Sequence, residues 1–235
     1  NFGENSMEFR LSIILPLLLS TNLAFADKMK RYEVSITNTT KGQSFTPQLV
    51  ATHKKSLSLF TLGEPASDSL ELLAEGGDTA PLTQDIQNST GQMGEVLTVP
   101  GLLAPGQTTV IEIMGNYKHH YLSLAAMLLP SNDTFVALSA IKLPRKGSVS
   151  HFALAYDAGT EKNDQNCAHI PGPHCGGLGE AHSMPSDMDE GFVYIGNGFH
   201  DLGDMDTEGN VILKPMMYDW NNPVALITIK RIKKD

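Results

Sequence analysis

YLSLAAMLLPSND, residues 121–133, combines a long apolar run with a polar turn. Its first nine residues, Tyr121 to Leu129, are apolar at nearly every position, which is typical of a strand buried on both faces. The proline and the polar residues that follow end the strand, and Asp133 places an acid on that turn. The run therefore predicts a buried strand with a carboxylate just beyond its end.

Short strands between turn residues are predicted on both sides of this run. Alternating or continuous apolar patterns predict strands at residues 32–36, 57–61, 96–99, 108–113, 135–141, 149–156 and 224–232. The segment PGLLAPGQ, which lies between the strands at 96–99 and 108–113, is suited to a hairpin.

Helix patterns are few. The segment DSLELLAE at residues 68–75 follows a proline and a serine and stops at two glycines, and residues 79–87 form a second candidate. Many short strands with Pro/Gly turns predict an all-β chain, an antiparallel β-sandwich with one or two short helices in connecting loops.

The first 26 residues are expected to be an upstream leader and a signal peptide. Arg10 precedes an apolar run, and Ala24-Phe25-Ala26 forms a cleavage site, so cleavage is expected after Ala26. The apolar run is too short to span a membrane, which takes about 20 residues. Residues 27–235 are expected to form one exported domain, periplasmic or secreted, without a transmembrane segment.

The formal net charge of the chain is −9 at pH 7. An acidic surface disfavours nucleic acid and anionic lipid as partners and favours cations.

Acids follow two of the predicted strands. Asp133 follows the strand that ends at Leu129, while Asp157 and Glu161 follow the strand at 149–156 and are separated by Ala-Gly-Thr. Hard cations such as calcium take six to eight oxygen ligands from flexible loops, so these three carboxylates are candidate ligands. A further acidic run, DMDTEG at 204–209, opens like a helix–loop–helix calcium loop, but its twelfth position is Pro215, which favours a solvated turn.

The two cysteines, Cys167 and Cys175, allow two interpretations. In an exported protein they are expected to form a disulfide. Alternatively, Cys167, His169, His174, Cys175 and His182 could bind zinc or copper, because tetrahedral sites use such ligands.

Catalytic motifs are sparse. The chain contains no G-x-S-x-G nucleophile elbow and no H-E-x-x-H pair. Asp157 and Glu161 could act as an acid/base pair, so a hydrolase stays as an alternative, but a non-enzymatic protein is expected.

The chain resembles the spondin N-terminal domain family, especially its shorter bacterial members, from about Tyr32 to the final strand. The segments that carry the resemblance are residues 32–38 (YEVSITN), 45–47 (FTP), 59–67 (LFTLGEPAS), 73–79 (LAEGGDT), 127–133 (MLLPSND) and 156–161 (YDAGTE). The bacterial branch is also similar at residues 167–173 (CAHIPGP) and 197–200 (NGFH).

This resemblance implies an extracellular β-sandwich with one calcium ion. The family's ligand positions correspond to Asp133, Asp157 and Glu161. Animal members are matrix and adhesion proteins with additional domains, so for this chain a binding or adhesion role toward an envelope, polysaccharide or extracellular protein partner is a hypothesis.

The chain departs from the animal motifs at four positions. Asn132 and Thr134 replace a proline and a tryptophan of the first motif, while Tyr156 and Glu161 replace a tryptophan and an aspartate of the second. Glu161 is one methylene longer than aspartate and is still a hard oxygen donor, so the resemblance implies a calcium site of altered geometry.

Overall fold

A computed structural model describes residues 29–177, 179, 182 and 189–232 of the chain. The predicted leader and signal peptide, residues 1–26, lie outside the described residues. The strands are β1 (Lys30–Asn38), β2 (Ser44–Phe45), β3 (Gln48–His53), β4 (Met93–Val99), β5 (Thr108–Gly115), β6 (Tyr121–Leu129), β7 (Thr134–Lys142), β8 (Ser148–Asp157), β9 (Tyr194–Ile195) and β10 (Ala225–Ile232). The helices are α1 (Asp68–Gly76), α2 (Ala80–Asn88) and α3 (Pro215–Tyr218).

The strands form one antiparallel sheet that folds over on itself. The hydrogen-bonded order is β4-β3-β6-β7-β8-β10-β1-β5, with β2 beside β6 and β9 beside β8. The two ends of this order meet, because the Thr52 hydroxyl of β3 donates to the Met114 carbonyl of β5 at 2.7 Å and the Glu95 carboxylate of β4 accepts from the Met114 amide. The predicted all-β class is confirmed, and the sandwich describes the arrangement roughly, since its two halves belong to a single curled sheet.

Strand β6 is buried on both faces, as its sequence predicts. Every residue from 122 to 129 is at most 3% exposed. The side chains on one face belong to the main core: Leu122, Leu124, Ala126 and Leu128. On the other face, Ala125 packs in the cluster beneath α1 and α2, and Met127 and Leu129 pack with Ile170 and Cys175.

Helices α1 and α2 cover this second face. Residues near their ends explain where α1 begins and ends and where α2 begins. Ser67 caps α1 by accepting from the Leu70 amide at 3.3 Å, and Gly77 ends it with a positive φ of 71°. A proline occupies the first turn of α2, where its missing N–H costs nothing. Leu70 and Leu73 of α1 are fully buried against the sheet, so the helices close the core.

The predicted hairpin between β4 and β5 is wrong. β4 pairs with β3 and β5 pairs with β1, so the two strands lie at opposite ends of the hydrogen-bonded order. The connection is diverted at Leu103, whose amide and carbonyl both bond to the backbone of Phe45 at 2.9 and 3.0 Å. These two bonds hold the connection against β2, and the chain then continues from there to β5.

The predicted strand at residues 57–61 is also wrong. These residues form no strand, although Leu57 and Leu59 are buried in the cluster beneath the helices. The Ser58 hydroxyl donates to the Phe60 carbonyl at 2.5 Å, which turns the backbone locally. The alternating pattern therefore reports side-chain burial without strand pairing.

Among the described residues, no helix has the length and apolarity that crossing a bilayer requires.

His53, the last residue of β3, is a buried titratable group. Its Nδ1 lies 2.7 Å from the Lys54 carbonyl, and its Nε2 lies 2.8 Å from the Ser123 hydroxyl. The same hydroxyl accepts from the Ala140 amide at 2.8 Å, so Ser123 can donate to Nε2 of a neutral ring. Burial lowers the pKa of His53 below its usual value.

Replacing His53 with glutamine should reduce the loss of stability in mild acid. Since the folded-state pKa of His53 is lowered, the unfolded chain takes up the proton more readily. Stability is therefore lost as pH falls from the unfolded value of about 6.5 toward the lower folded value. The measurement is the change in Tm between pH 7.5 and pH 5.5, which should be smaller in His53→Gln than in the wild type.

The matched control is His200→Gln, because His200 is exposed. If His53→Gln and the wild type lose the same stability over this range, His53 does not control the acid response.

Candidate metal centre

Antiparallel pairing brings the predicted acids to one end of the sheet. Asp133 directly precedes β7, and Asp157 is the last residue of β8. In the register between these strands, Thr134 is opposite Asp157. The Ala158 amide also donates to the Asp133 carbonyl at 3.2 Å. The turn after β6 and the loop after β8 are therefore fastened together where the acids lie.

Asp133 is fully buried, and its two carboxylate oxygens differ. Oδ2 accepts hydrogen bonds from the Thr160 amide at 2.8 Å, the Glu161 amide at 3.1 Å and the Thr160 hydroxyl at 3.3 Å. Oδ1 is buried and has no hydrogen-bond partner within the described part of the chain. A buried carboxylate oxygen is costly without a donor or a cation.

Asp157 is 1% exposed and holds the shape of its own loop. Its Oδ1 accepts from the Gly159 amide at 2.9 Å, and its Oδ2 accepts from the Asn163 side chain at 2.9 Å. Gly159 has a φ of +68°, and a Cβ there would lie 2.4 Å from the Phe192 carbonyl oxygen. The glycine is thus required for the tight turn that brings Glu161, itself 2% exposed, back toward the sheet.

The surroundings of Asp133 and Asp157 at this end of the sheet disfavour their ionised forms. Burial raises the pKa of Asp133 well above its ordinary value, and the charges of Asp157 and Glu161 raise it further against the effect of two backbone amides. Burial also raises the pKa of Asp157. Among the described residues, no lysine, arginine or histidine forms an ion pair with Asp133 or Asp157.

The donor set fits a hard cation. All three acids supply oxygen, and calcium accepts such ligands at 2.3–2.6 Å in coordination shells of six to eight. The oxygens of the three acids are not all within 4.8 Å of one another. In the described part of the chain, the single group of potential metal ligands that meets this spacing lies elsewhere. The three carboxylates are therefore less closely grouped than the ligand atoms of that other cluster.

The hydrogen-bonding roles of two neighbours of the site, Asn163 and Asn132, were not predicted from the sequence. Asn163 bridges Asp157 and the Tyr194 hydroxyl, which lies 3.1 Å from the amide nitrogen. Burial, and then the charges of Asp157 and Glu190, raise the pKa of Tyr194. Asn132, where the animal motif has proline, accepts from the Gln165 amide at 3.1 Å and so ties the turn to the following loop. Uncharged residues carry no metal-ligand pattern, so only the fold reveals them.

The predicted disulfide is confirmed. Cys167 and Cys175 are joined with an S–S distance of 2.10 Å, and neither is a free thiol. The loop is held to the body by the apolar cluster that includes Cys175 and Ile170, and by the Asp204 carboxylate, which accepts from the Cys167 amide at 2.9 Å.

The disulfide leaves the alternative zinc or copper site on this loop without its two thiolate ligands. Its histidines also have separate surroundings. His169 Nδ1 lies 3.3 Å from Asp164, the His174 ring packs edge-on against Tyr218, and His182 lies against α1.

The acidic run at 204–209 forms an exposed turn, as predicted. Asp206 Oδ1 accepts from the Glu208 amide at 2.9 Å and the Asn210 amide at 2.8 Å. Bonds from Asn210 lower the pKa of Asp206. The carboxylate thus organises its own turn.

Comparison with known families agrees with this architecture. The model of the Spondin_N family matches residues 29–166, which is more than half of the chain. The matched range runs from β1 through the three acids. No curated protein gives a significant match to the chain.

Removing the disulfide should destabilise the fold. The bond closes a loop with a sequence separation of 8 residues, and its loss from Cys167→Ser/Cys175→Ser should lower the free energy of unfolding by about 2–3 kcal/mol, because the unfolded chain gains freedom. Urea denaturation of the wild type with and without a reductant should show the same difference. An unchanged midpoint in both experiments would show that packing alone holds this loop.

Proposed function

The chain belongs to the spondin N-terminal domain family, and from this premise we propose that it is an exported, non-enzymatic binding module that holds one calcium ion. Asp133, Asp157 and Glu161 would be its protein ligands. The observation that carries the calcium proposal is the buried Oδ1 of Asp133, which has no hydrogen-bond partner in the part of the chain that the structure describes and lies within a group of buried acids.

A calcium ion would supply the charge that this end of the sheet needs. Its two positive charges would favour the ionised forms of Asp133 and Asp157, whose pKa values burial raises. Backbone carbonyls and water would complete the coordination shell. The ion would thereby join the turn after β6 to the loop after β8.

The proposed location follows from chemistry and family together. A disulfide between Cys167 and Cys175 persists in oxidising compartments such as the periplasm or the extracellular space. The net charge of −9 keeps the surface attractive to cations.

Calcium should raise the melting temperature of the wild type, and Asp157→Ala should abolish the increase. Binding to the folded state alone stabilises it by RT ln(1 + [L]/Kd), about 2.7 kcal/mol at a hundredfold excess over Kd. Differential scanning calorimetry in calcium and in EDTA measures the effect, and calorimetric titration gives the stoichiometry, expected to be one ion per chain.

Asp206→Asn is the matched control, since Asp206 is an exposed acid of the other acidic loop. Its response to calcium should equal that of the wild type. Melting curves of the wild type that are identical in calcium and in EDTA would refute the calcium proposal.

The binding role is proposed for the surface beside this site. Phe192 and Ile195 are each 43% exposed. The Gly191 amide, next to Phe192, donates to the Gly159 carbonyl at 2.9 Å, and Ile195 is opposite Tyr156. These exposed apolar side chains therefore lie on the segment that packs against the acidic loop, where an ion would order them for an envelope polysaccharide or protein.

Capture of an envelope component by the immobilised chain should require calcium and should weaken in Phe192→Ala, which loses apolar contact area. Phe152→Ala is the control, because Phe152 is 65% exposed in the middle of β8, away from the acidic loop. The measurement is bound material after washes in calcium or in EDTA. Capture that is equal in both washes and in both variants would contradict a calcium-ordered binding surface.

A further inference from the structure

Helix α1 presents two glutamates on one side. Glu71 and Glu75 are four residues apart, so their side chains lie next to each other along the helix. The side chain of Glu71 is 21% exposed, whereas that of Glu75 is only 1% exposed. Glu75 is one of the buried residues of the helix, although it does not lie on the same side as Leu70 and Leu73. Full burial is unusual for a carboxylate.

His182 completes a group of three potential ligands. Its Nδ1 lies 2.6 Å from Glu75 Oε2 and 3.5 Å from Glu71 Oε1. One ligand atom from each of these residues lies within 4.8 Å of the other two, and no other group among the described residues reaches this spacing. His182 is 107 positions away from Glu75 in the sequence, so the fold alone assembles the group.

A second observation points to a ligand. Glu75 Oε1 is buried and has no hydrogen-bond partner among the described residues. Hydrogen bonding by the Thr160 hydroxyl lowers the pKa of Glu75, but that hydroxyl has a single hydrogen, and it also lies 3.3 Å from Asp133 Oδ2, to which it can donate instead. Burial raises the pKa of Glu75 above its usual value, and the charge of Glu71 adds to this. The carboxylate is thus buried with one oxygen available.

The donor types select the class of metal. Calcium uses oxygen ligands, whereas zinc combines histidine nitrogen with carboxylate oxygen at about 2.0–2.2 Å. Two ligands of a tetrahedral zinc ion lie about 3.3–3.6 Å apart, and the distance from His182 Nδ1 to Glu71 Oε1 is 3.5 Å. The 2.6 Å contact between His182 Nδ1 and Glu75 Oε2 is a hydrogen bond, which zinc would replace. A cleft of about 280 Å³ lined by Glu71, Gly159 and Thr160 gives access from solvent.

We propose that Glu71, Glu75 and His182 form a binding site for a divalent transition metal of the zinc class. This site is separate from the acidic loop and does not depend on calcium binding there. Thr160 lies between the two sites, with its amide and hydroxyl on Asp133. Zinc would neutralise the glutamate pair and fix His182 against α1.

The competing explanation is an ion pair that docks His182 on the helix without a metal. Glu71→Gln separates the two, because it removes one ligand and leaves the 2.6 Å contact between His182 and Glu75 intact. A docking pair predicts no zinc binding and no special effect of Glu71. The metal site predicts that Glu71 is needed for zinc affinity while the stability of the metal-free chain is unchanged.

Isothermal titration of the wild type with zinc chloride should give one ion per chain. Glu71→Gln and His182→Gln should each weaken binding by at least about tenfold, which is the lower range seen even when a partner behind a metal ligand is lost. Asp68→Asn, an exposed acid on the same helix, should bind zinc like the wild type. X-ray absorption at the zinc edge should show imidazole scattering that His182→Gln removes.

Asp157→Ala keeps the two metal proposals distinguishable. This variant should lose its response to calcium and keep its zinc affinity. If the wild type does not bind zinc, or if Glu71→Gln and His182→Gln bind it as tightly as the wild type does, the site is an ion pair and the proposal is overturned.

Discussion

The burial of β6 on both faces is the constraint on which the rest of the structure depends. A strand with no solvent face needs apolar cover on two sides. The curled sheet covers one side, where Leu124 lies in the main core. Helices α1 and α2 cover part of the other side. The disulfide loop covers the end of the strand on this side, where Ile170 of the loop packs with Met127 of β6. Each proposed ligand group includes a residue beside this strand: Asp133 lies in the turn that follows β6, and Glu75 lies on α1, which packs against it.

The cost of burying charge shapes the polar end of the molecule. Asp133 and Glu75 are both fully buried, and each has one oxygen without a hydrogen-bond partner among the described residues. Thr160 lies between them, and its single hydroxyl hydrogen can serve only one carboxylate at a time. The loop that carries Thr160 thus connects two buried acidic groups, one with oxygen donors alone and one with an imidazole.

Local chemistry explains why much of the fold is predictable. The caps of α1 at Ser67 and Gly77 and the apolar run of β6 are properties of neighbouring residues. The two errors have a common cause. Residues 57–61 alternate in polarity because they pack under the helices, and the connection between β4 and β5 is diverted by backbone bonds from Leu103 to Phe45. Periodicity predicts which side chains are buried, and it does not identify the pairing partner.

The sequence by itself determined the all-β class, the central buried strand and the acids at Asp133 and Asp157, because each depends on residue types close together in the chain. It also favoured the disulfide, because the chain has two cysteines and the expected export takes it to an oxidising compartment. Only the tertiary structure decided which strands are neighbours, that Asp133 Oδ1 has no donor among the described residues, and that Glu75 contacts His182. Those features depend on contacts between segments that are distant in the sequence. Such contacts form only when the strands assemble into the curled sheet, which is driven by the removal of apolar surface from water.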